Sequence, residues 1–485
     1  MGTDRAPDAP GHDLVVIGLG PKAAAVCAKA AAVRELGLGA PRVLVVERYG
    51  AAAHWGGEHG FTTGTEPLGT RPEKDVGFPY RSADAFGPRG AELDRAMTRY
   101  SWQNFLAETG RLGAWVDRGC PAPEHRVFGA YLEWVVRSCG DHVEIRRARV
   151  TALDTADGAW LVRTADDDTA RATGGNAVVR ARAVMVTGPG TPRALGPGPF
   201  AHPRLIDAGV HRPALRRMLR ERPCARVAVV GGGESAASLA LYVHDLVPTA
   251  RLELFAPGGL RVRDESDEVN RAYTAGAAAE WSLLDEGDRR TFIARTDRGV
   301  VSPALSRRLA AVIGDRVHRT AVRSVAPAPG EEDALDLLDG NGTPLGRFDL
   351  VLNATGFDPW RQIDELLTPA ARTLLTGTGT GTPGGTLDLA AAQRRIGPSL
   401  SFDGVRPALY APALAGLAQG PGFANLSCLG HLSDLVVRDL LDPAATAPRP
   451  APDPLPAATG RTPARNRVPA TPLRTPRKEV LHAQA

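Results

Sequence analysis

The chain reads as an α/β protein built from two Rossmann-like dinucleotide-binding domains, the first interrupted by the second, with a small additional part. Three observations predict this. One glycine loop, Gly18-Leu19-Gly20-Pro21-Lys22-Ala23, lies between an aliphatic run and an alanine-rich stretch; a second, Gly231-Gly232-Gly233-Glu234-Ser235-Ala236, lies in the same setting. A strand-like run ending in Thr-Gly follows each of them, RARAVMVTGPG at 180–190 and FDLVLNATGFDP at 348–359. Finally, 485 residues exceed what one hydrophobic core usually serves, so two or three domains are expected.

Taken in order, DLVVIG within 12–20 is short, aliphatic and without alternation, which suits a strand buried on both faces. Residues 21–36 hold no internal Gly or Pro after the first position and predict a helix, stopped by Gly37 and Gly39. RVLVVE (42–47) is the next buried strand, completing a βαβ opening. The second opening repeats the pattern with RVAVVG (226–231), a helix over 232–246 and RLELFA (251–256). The recurrence of strand-then-Thr-Gly predicts that the first domain covers 12–205 and resumes over 346–442, around a second domain at 206–345. Residues 1–11 read as a disordered leader. APAPGEED (326–333) and TGTGTGTPGGT (376–386) read as low-complexity loops, and 443–485, with ten prolines, as a disordered tail.

Composition narrows the function classes. In 443–485 seven basic residues face two acidic ones, so the tail carries +5 of the formal +4 and the remainder is −1. The body therefore has no basic excess to recruit nucleic acid. Five scattered cysteines without CxxC or Cys/His spacing argue against a disulfide framework or a metal site, and fit a reducing, cytoplasmic setting. Neither an apolar leader segment nor an 18-residue apolar run is present.

The two loops carry the chemistry. Gly18 permits a tight turn, Gly20 lets backbone approach a pyrophosphate, and the small Ala23 lets helix pack on strand. The helix N-terminus adds amide donors for the phosphates. Glu47 closes the second strand, where a carboxylate accepts from adenosine ribose hydroxyls, so FAD is assigned here. In the second unit Gly231 and Gly233 play the loop roles, with Glu234 and Ser235 opening the helix. No acid ends its second strand, while Arg261 and Arg263 follow closely; this favours a 2′-phosphate and hence NADPH, unless the arginines are only solvated loop residues. Two dinucleotides imply electron transfer between them. With no redox cysteine pair, activation of dioxygen leads.

LGTRPEKDVGFPYRSA (68–83), AELDRAMTRYSWQNFL (91–106), ARTDRGVVS (294–302), FDLVLNATGFDP (348–359) and GLAQGPGFANLSCLGHLSD (416–434) resemble the flavin-dependent N-hydroxylating monooxygenases of siderophore biosynthesis. The lysine N6-hydroxylases of mycobactin-type pathways are the most similar branch. The resemblance implies a FAD domain, an inserted NADPH domain with a substrate-contacting segment over 264–302, and a small substrate-binding part. It implies N-hydroxylation of the ε-amine of free L-lysine through a C4a-hydroperoxyflavin, with no catalytic side chain. The alternatives are an ornithine or diamine N-hydroxylase, or a broader flavin monooxygenase.

Residue by residue, the resemblance places His54 and Trp55 beside the isoalloxazine and Val150 at the adenine. Lys74 falls on the substrate α-carboxylate, Asn270 between amino acid and nicotinamide, and Leu432 and Ser433 over the flavin and reacting amine. Arg261 falls on the adenosine end of NADPH. Two departures stand out. Asp297 replaces an asparagine of the ornithine branch and is suited to an α-ammonium, or to pairing with Arg295 or Arg298. Glu234 replaces a glutamine, which puts its contact with nicotinamide in question.

Overall fold

The computed structural model of the protein describes residues 11–59, 62–166, 177–196, 200–207, 212–221, 224–376 and 387–442. The predicted leader (except Gly11), the glycine-rich loop beyond Thr376 and the predicted tail lie outside them.

Leu14–Ile17 forms the middle of a five-stranded parallel sheet, flanked by Val43–Glu47 and then Val143–Arg147 on one side, and by Ala183–Val186 and Ala408–Tyr410 on the other. Central placement explains the unbroken aliphatic run, since both faces are covered. Its carboxyl end delivers Gly18 to the turn. Behind that turn, helix Pro21–Glu35 buries twelve of its fifteen residues. Its alanines let both the sheet and the C-terminal helix Leu429–Leu441 approach closely. Between these helices Lys29 Nζ lies 2.6 Å from Asp434 and donates to Ser82 Oγ at 2.8 Å, with both charged groups almost fully buried. Removing either charge alone should cost about 3–5 kcal/mol.

A second parallel sheet has the order Val317–His318, Arg251–Phe255, Arg226–Val230, Leu350–Asn353, Leu205–Asp207. This corrects the predicted boundaries at 205/206 and 345/346. Leu205 and the LVLN of FDLVLNATG belong to the second sheet, not the first. The repeated Thr-Gly strand is thus not the return of one domain; each copy lies beside the glycine-loop strand of its own sheet. The chain returns only after Asn353, through Phe357–Asp358, which pairs antiparallel with Thr191–Pro192.

A further correction concerns 326–333, read as a low-complexity loop. Ser324–Ala328 and Glu331–Leu338 form an antiparallel hairpin, completed by Pro344–Phe348, with Gly330 at φ +78° in the turn. Val325, Leu335, Leu337 and Phe348 bury its inner face, and a register shift at Pro327/Ala328 absorbs the proline that cannot donate. A three-stranded antiparallel sheet, Arg149–Ala156, Ala159–Ala165 and Ala177–Ala181, extends the first domain. Among the described residues no helix is long and apolar enough to cross a membrane, and no cluster of three His, Cys, Asp or Glu is grouped as a metal site.

Candidate functional site

The first glycine loop has the shape a pyrophosphate requires. Gly18 sits at φ +90°, and a Cβ there would stand 2.9 Å from Thr187 Oγ1, whose hydroxyl donates to the Ile17 carbonyl. Gly20 caps helix Pro21–Glu35 with no side chain on the first-turn amides, and a Cβ at Gly20 would meet nothing within 4 Å. Ala23 is fully buried. Glu47 turns back on the loop, accepting from Leu19 N at 2.8 Å and Tyr49 N at 2.9 Å. That orients the carboxylate and leaves an acceptor direction on each oxygen for ribose. Ala148 N donates to the Glu47 carbonyl, which brings Val150, two residues on and half-buried, to the same edge. These residues fit FAD.

The second loop is similar and tighter. Gly231 has φ +140°, and a Cβ would lie 2.2 Å from the Ala354 carbonyl oxygen. Gly233 caps helix Glu234–Leu246, again with bare amides, and Ser235 is half-buried in its first turn. Beyond strand Arg251–Phe255, the Arg261 guanidinium folds over Gly258 and that of Arg319 over Gly259, so two cations flank the turn where a 2′-phosphate would be read. Arg319 escaped the sequence reading because nothing local marks it. Arg263 is a correction. It donates to Glu265 and to the Gly69 carbonyl at 3.2 Å, tying the second domain to loop 68–74 rather than facing the phosphate turn. Glu234 is anchored by Ser302. Both its oxygens are taken by Ser302, Oε2 by the amide at 2.6 Å and Oε1 by the hydroxyl at 2.8 Å. It joins helix Glu234–Leu246 to the helix at Pro303–Ile313 and, like Glu47, keeps an acceptor direction on each oxygen beside the cavity described next. The residues around this loop fit NADPH.

Beside the second loop lies a cavity of about 750 Å³. Trp55, loop 67–71 and Lys74 form one wall; Glu234, Arg263–Glu265, Asn270, Tyr273 and Asp297 form another; Asn425, Leu426 and Ser427 close it. Trp55 stands edge-on to His125 at 4.9 Å and against Phe128 at 5.5 Å, which fixes the indole. Burial pushes the neighbouring His54 below the ordinary imidazole value. Burial, with Arg263 adding repulsion, also lowers the Lys74 ammonium, so an arriving carboxylate would relieve both effects. Lys74 sits on a knot. Asp75 accepts from Gly77 N, Tyr80 Oη and Trp102 N at 2.9–3.0 Å. Burial still lifts its carboxyl to about 6.

Asn270 Nδ2 donates to the Glu265 carbonyl, so it serves a local turn as well as lining the cavity. Asp297 Oδ2 lies 3.3 Å from Arg298 Nε, the local pairing foreseen, while Oδ1 accepts from Asn425 Nδ2 at 3.4 Å.

Leu432 and Ser433 do not line this cavity. Both lie inside helix Leu429–Leu441, at 1% and 0% exposure, and the Ser433 hydroxyl donates to the Gly430 carbonyl. The cavity-lining Leu-Ser pair is Leu426-Ser427, six residues earlier in the same string. Helical spacing of Leu429, Leu432, Val436, Val437 and Leu440 marks Leu432 as core, a signal present in the sequence and overridden by the resemblance.

Residues 94–327 match the family described as L-lysine 6-monooxygenase/L-ornithine 5-monooxygenase. The chain is 39% identical over 439 residues to L-lysine N6-monooxygenase MbtG of Mycobacterium tuberculosis, covering 87% of this chain and 94% of that one. The chain belongs to this family. Within it, similarity to an L-ornithine N(5)-monooxygenase of Pseudomonas aeruginosa is lower, 25% over 400 residues, covering 75% of this chain and 82% of the relative. Among solved structures, lysine monooxygenase NbtG from Nocardia farcinica superposes with a TM-score of 0.72 at 35% identity, covering 88% of this chain and 99% of that chain. The family's α/β architecture accounts for both parallel sheets.

Proposed function

We propose that the protein is an L-lysine N6-monooxygenase that uses FAD and NADPH. Two electrons from NADPH reduce dioxygen; one oxygen atom enters the ε-N–H bond and the other leaves as water. The bound flavin supplies oxygen activation, while the chain supplies position and dryness.

One observation carries the substrate assignment. The cavity beside the second glycine loop offers a cation, Lys74, and a carboxylate, Asp297, to the two charges of an α-amino acid. A diamine has no carboxylate for Lys74, and a ketone or thioether has use for neither. Arg263 holds loop 68–74 to the second domain, which keeps the Lys74 wall in place. Asn270 projects from the opposite wall, and Trp55 backs the flavin side. The amine reacts as its free base, and a lysine side chain has an unperturbed pKa of about 10.4, so exclusion of water favours the reactive form. Hydroxylation of a side-chain amine makes the precursor of a hydroxamate, an iron ligand, which fits siderophore assembly.

Lysine and ornithine differ by one methylene, worth about 1–3 kcal/mol in a pocket. The test is hydroxylamine formation from L-lysine, L-ornithine and cadaverine, each with NADPH. Lysine should give the highest kcat/KM, ornithine a poor one and cadaverine a poorer one. A higher kcat/KM for ornithine refutes the lysine assignment and leaves N-hydroxylation standing; cadaverine equal to lysine refutes the Lys74 contact.

A further inference from the structure

Lys22 is the cation of the first glycine loop, and pyrophosphate binding through backbone amides does not use its side chain. Its setting is costly. It occupies the first turn of helix Pro21–Glu35, where a positive charge opposes the helix dipole. It is also 9% exposed, and burial, with Arg298 adding repulsion, lowers it to about 8. An ordinary loop lysine would turn outward and shed both penalties. This one turns inward and donates to the Ala424 carbonyl at 3.0 Å.

Ala424 opens the segment that closes the cavity. Asn425 follows, its Oδ1 accepting from Ser427 N at 2.9 Å and its Nδ2 donating to Asp297 Oδ1. Asp297 also attracts the Lys22 ammonium through space. A line of contacts thus runs from the flavin loop to the amino-acid end of the cavity. We propose that Lys22 is a positioning residue of the substrate pocket, fixing through the Ala424 carbonyl the Asn425–Ser427 wall and the Asp297 carboxylate that this wall steadies. The shape of the amino-acid site is thereby tied to the loop that holds the flavin. The inference rests on the lysine-hydroxylase reading.

The test compares Lys22→Met with wild-type holoenzyme. Flavin occupancy, read from absorbance, and NADPH-driven flavin reduction without amino acid should stay within about twofold. The KM for L-lysine should rise about tenfold, the size expected when a charge-assisted contact is lost, and hydroxylamine formed per NADPH should fall. The lysine-induced rise in melting temperature should shrink in parallel. Lys22→Gln, which keeps a donor for the Ala424 carbonyl, should lie between the two and replaces Lys22→Met if that variant does not fold. Because the contacts are in series, Lys22→Met combined with Asn425→Ala should be no worse than the worse single variant. An unchanged KM for lysine, with or without loss of flavin, overturns the proposal, as does full additivity in the double variant. Failure of wild type itself to hydroxylate lysine refutes the substrate reading instead, so the two failures are distinguishable.

Discussion

The two glycine loops share a local design and differ in what stands behind them. The helix after Gly20 buries twelve of fifteen residues, locked by the Lys29–Asp434 pair and the C-terminal helix. The helix after Gly233 buries only six of thirteen. The first loop has the Glu47 carboxylate turned back on it; the turn after the second unit's second strand has Arg261 and Arg319. One motif has thus been set into a core, suited to a cofactor retained through turnover. The other sits on a more open domain, suited to a dinucleotide that arrives and leaves.

The largest expected effect separates the loops. In Gly231→Ala the new methyl meets the Ala354 carbonyl at 2.2 Å and the residue keeps φ +140°, so the backbone must move. Displacements near 1 Å cost about a hundredfold where positioning matters. NADPH-driven flavin reduction should fall by that factor, in a stopped-flow measurement, with flavin content unchanged. Flavin loss in parallel would break the comparison.

Next, Lys74→Ala should raise the KM for lysine about ten- to hundredfold, from about 1.5–3 kcal/mol of lost charge-assisted contact. Flavin reduction without substrate should be untouched. Normal lysine affinity would remove Lys74 from the amino-acid end.

Arg261→Ala tests the other end. The side chain is exposed, so its pairing is worth at most about 1 kcal/mol, and the NADPH-over-NADH ratio of kcat/KM should fall roughly fivefold. Adding Arg319→Ala should lower it further. A ratio unmoved by both would take the phosphate away from this turn.

The smallest effect concerns the rigid side. Burial raises Asp75 above the ordinary carboxylate range to about 6. A raised folded value stabilises fully below the unfolded value, and that contribution is lost as pH rises through about 6. Wild type should therefore exceed Asp75→Asn in stability by more at pH 4.5 than at pH 7.5, by about 2 kcal/mol in the free energy of denaturant unfolding. A gap constant with pH would mean that Asp75 is not a buried acid in solution.

Local pattern and tertiary context divided the work unevenly. Both βαβ openings were legible from residue type alone, because buried parallel strands must be aliphatic and a dinucleotide turn must be small. The helix predicted over 21–36 is observed at Pro21–Glu35, and the strand at 42–47 as Val43–Glu47. Lys74, Asn270 and Asp297 were named from a resemblance, and the fold brings all three to one cavity with Trp55. What could not be read was partnership. FDLVLNATG has the composition of either sheet, and only hydrogen bonding to Arg226–Val230 assigns Leu350–Asn353 to the second. Glu234 reads as the opening residue of a helix, and only the fold brings Ser302, far along the chain, to both its oxygens. Leu426-Ser427 and Leu432-Ser433 are the same dipeptide; apolar spacing from Leu429 marks the second as core, but only the fold brings the first to the cavity. By itself the sequence determined the strands, turns and helices of the two βαβ openings, because those depend on neighbours a few residues away. The tertiary structure alone decided which carboxylates, arginines and serines remain free for a ligand, because that depends on contacts between segments that no spacing along the chain encodes.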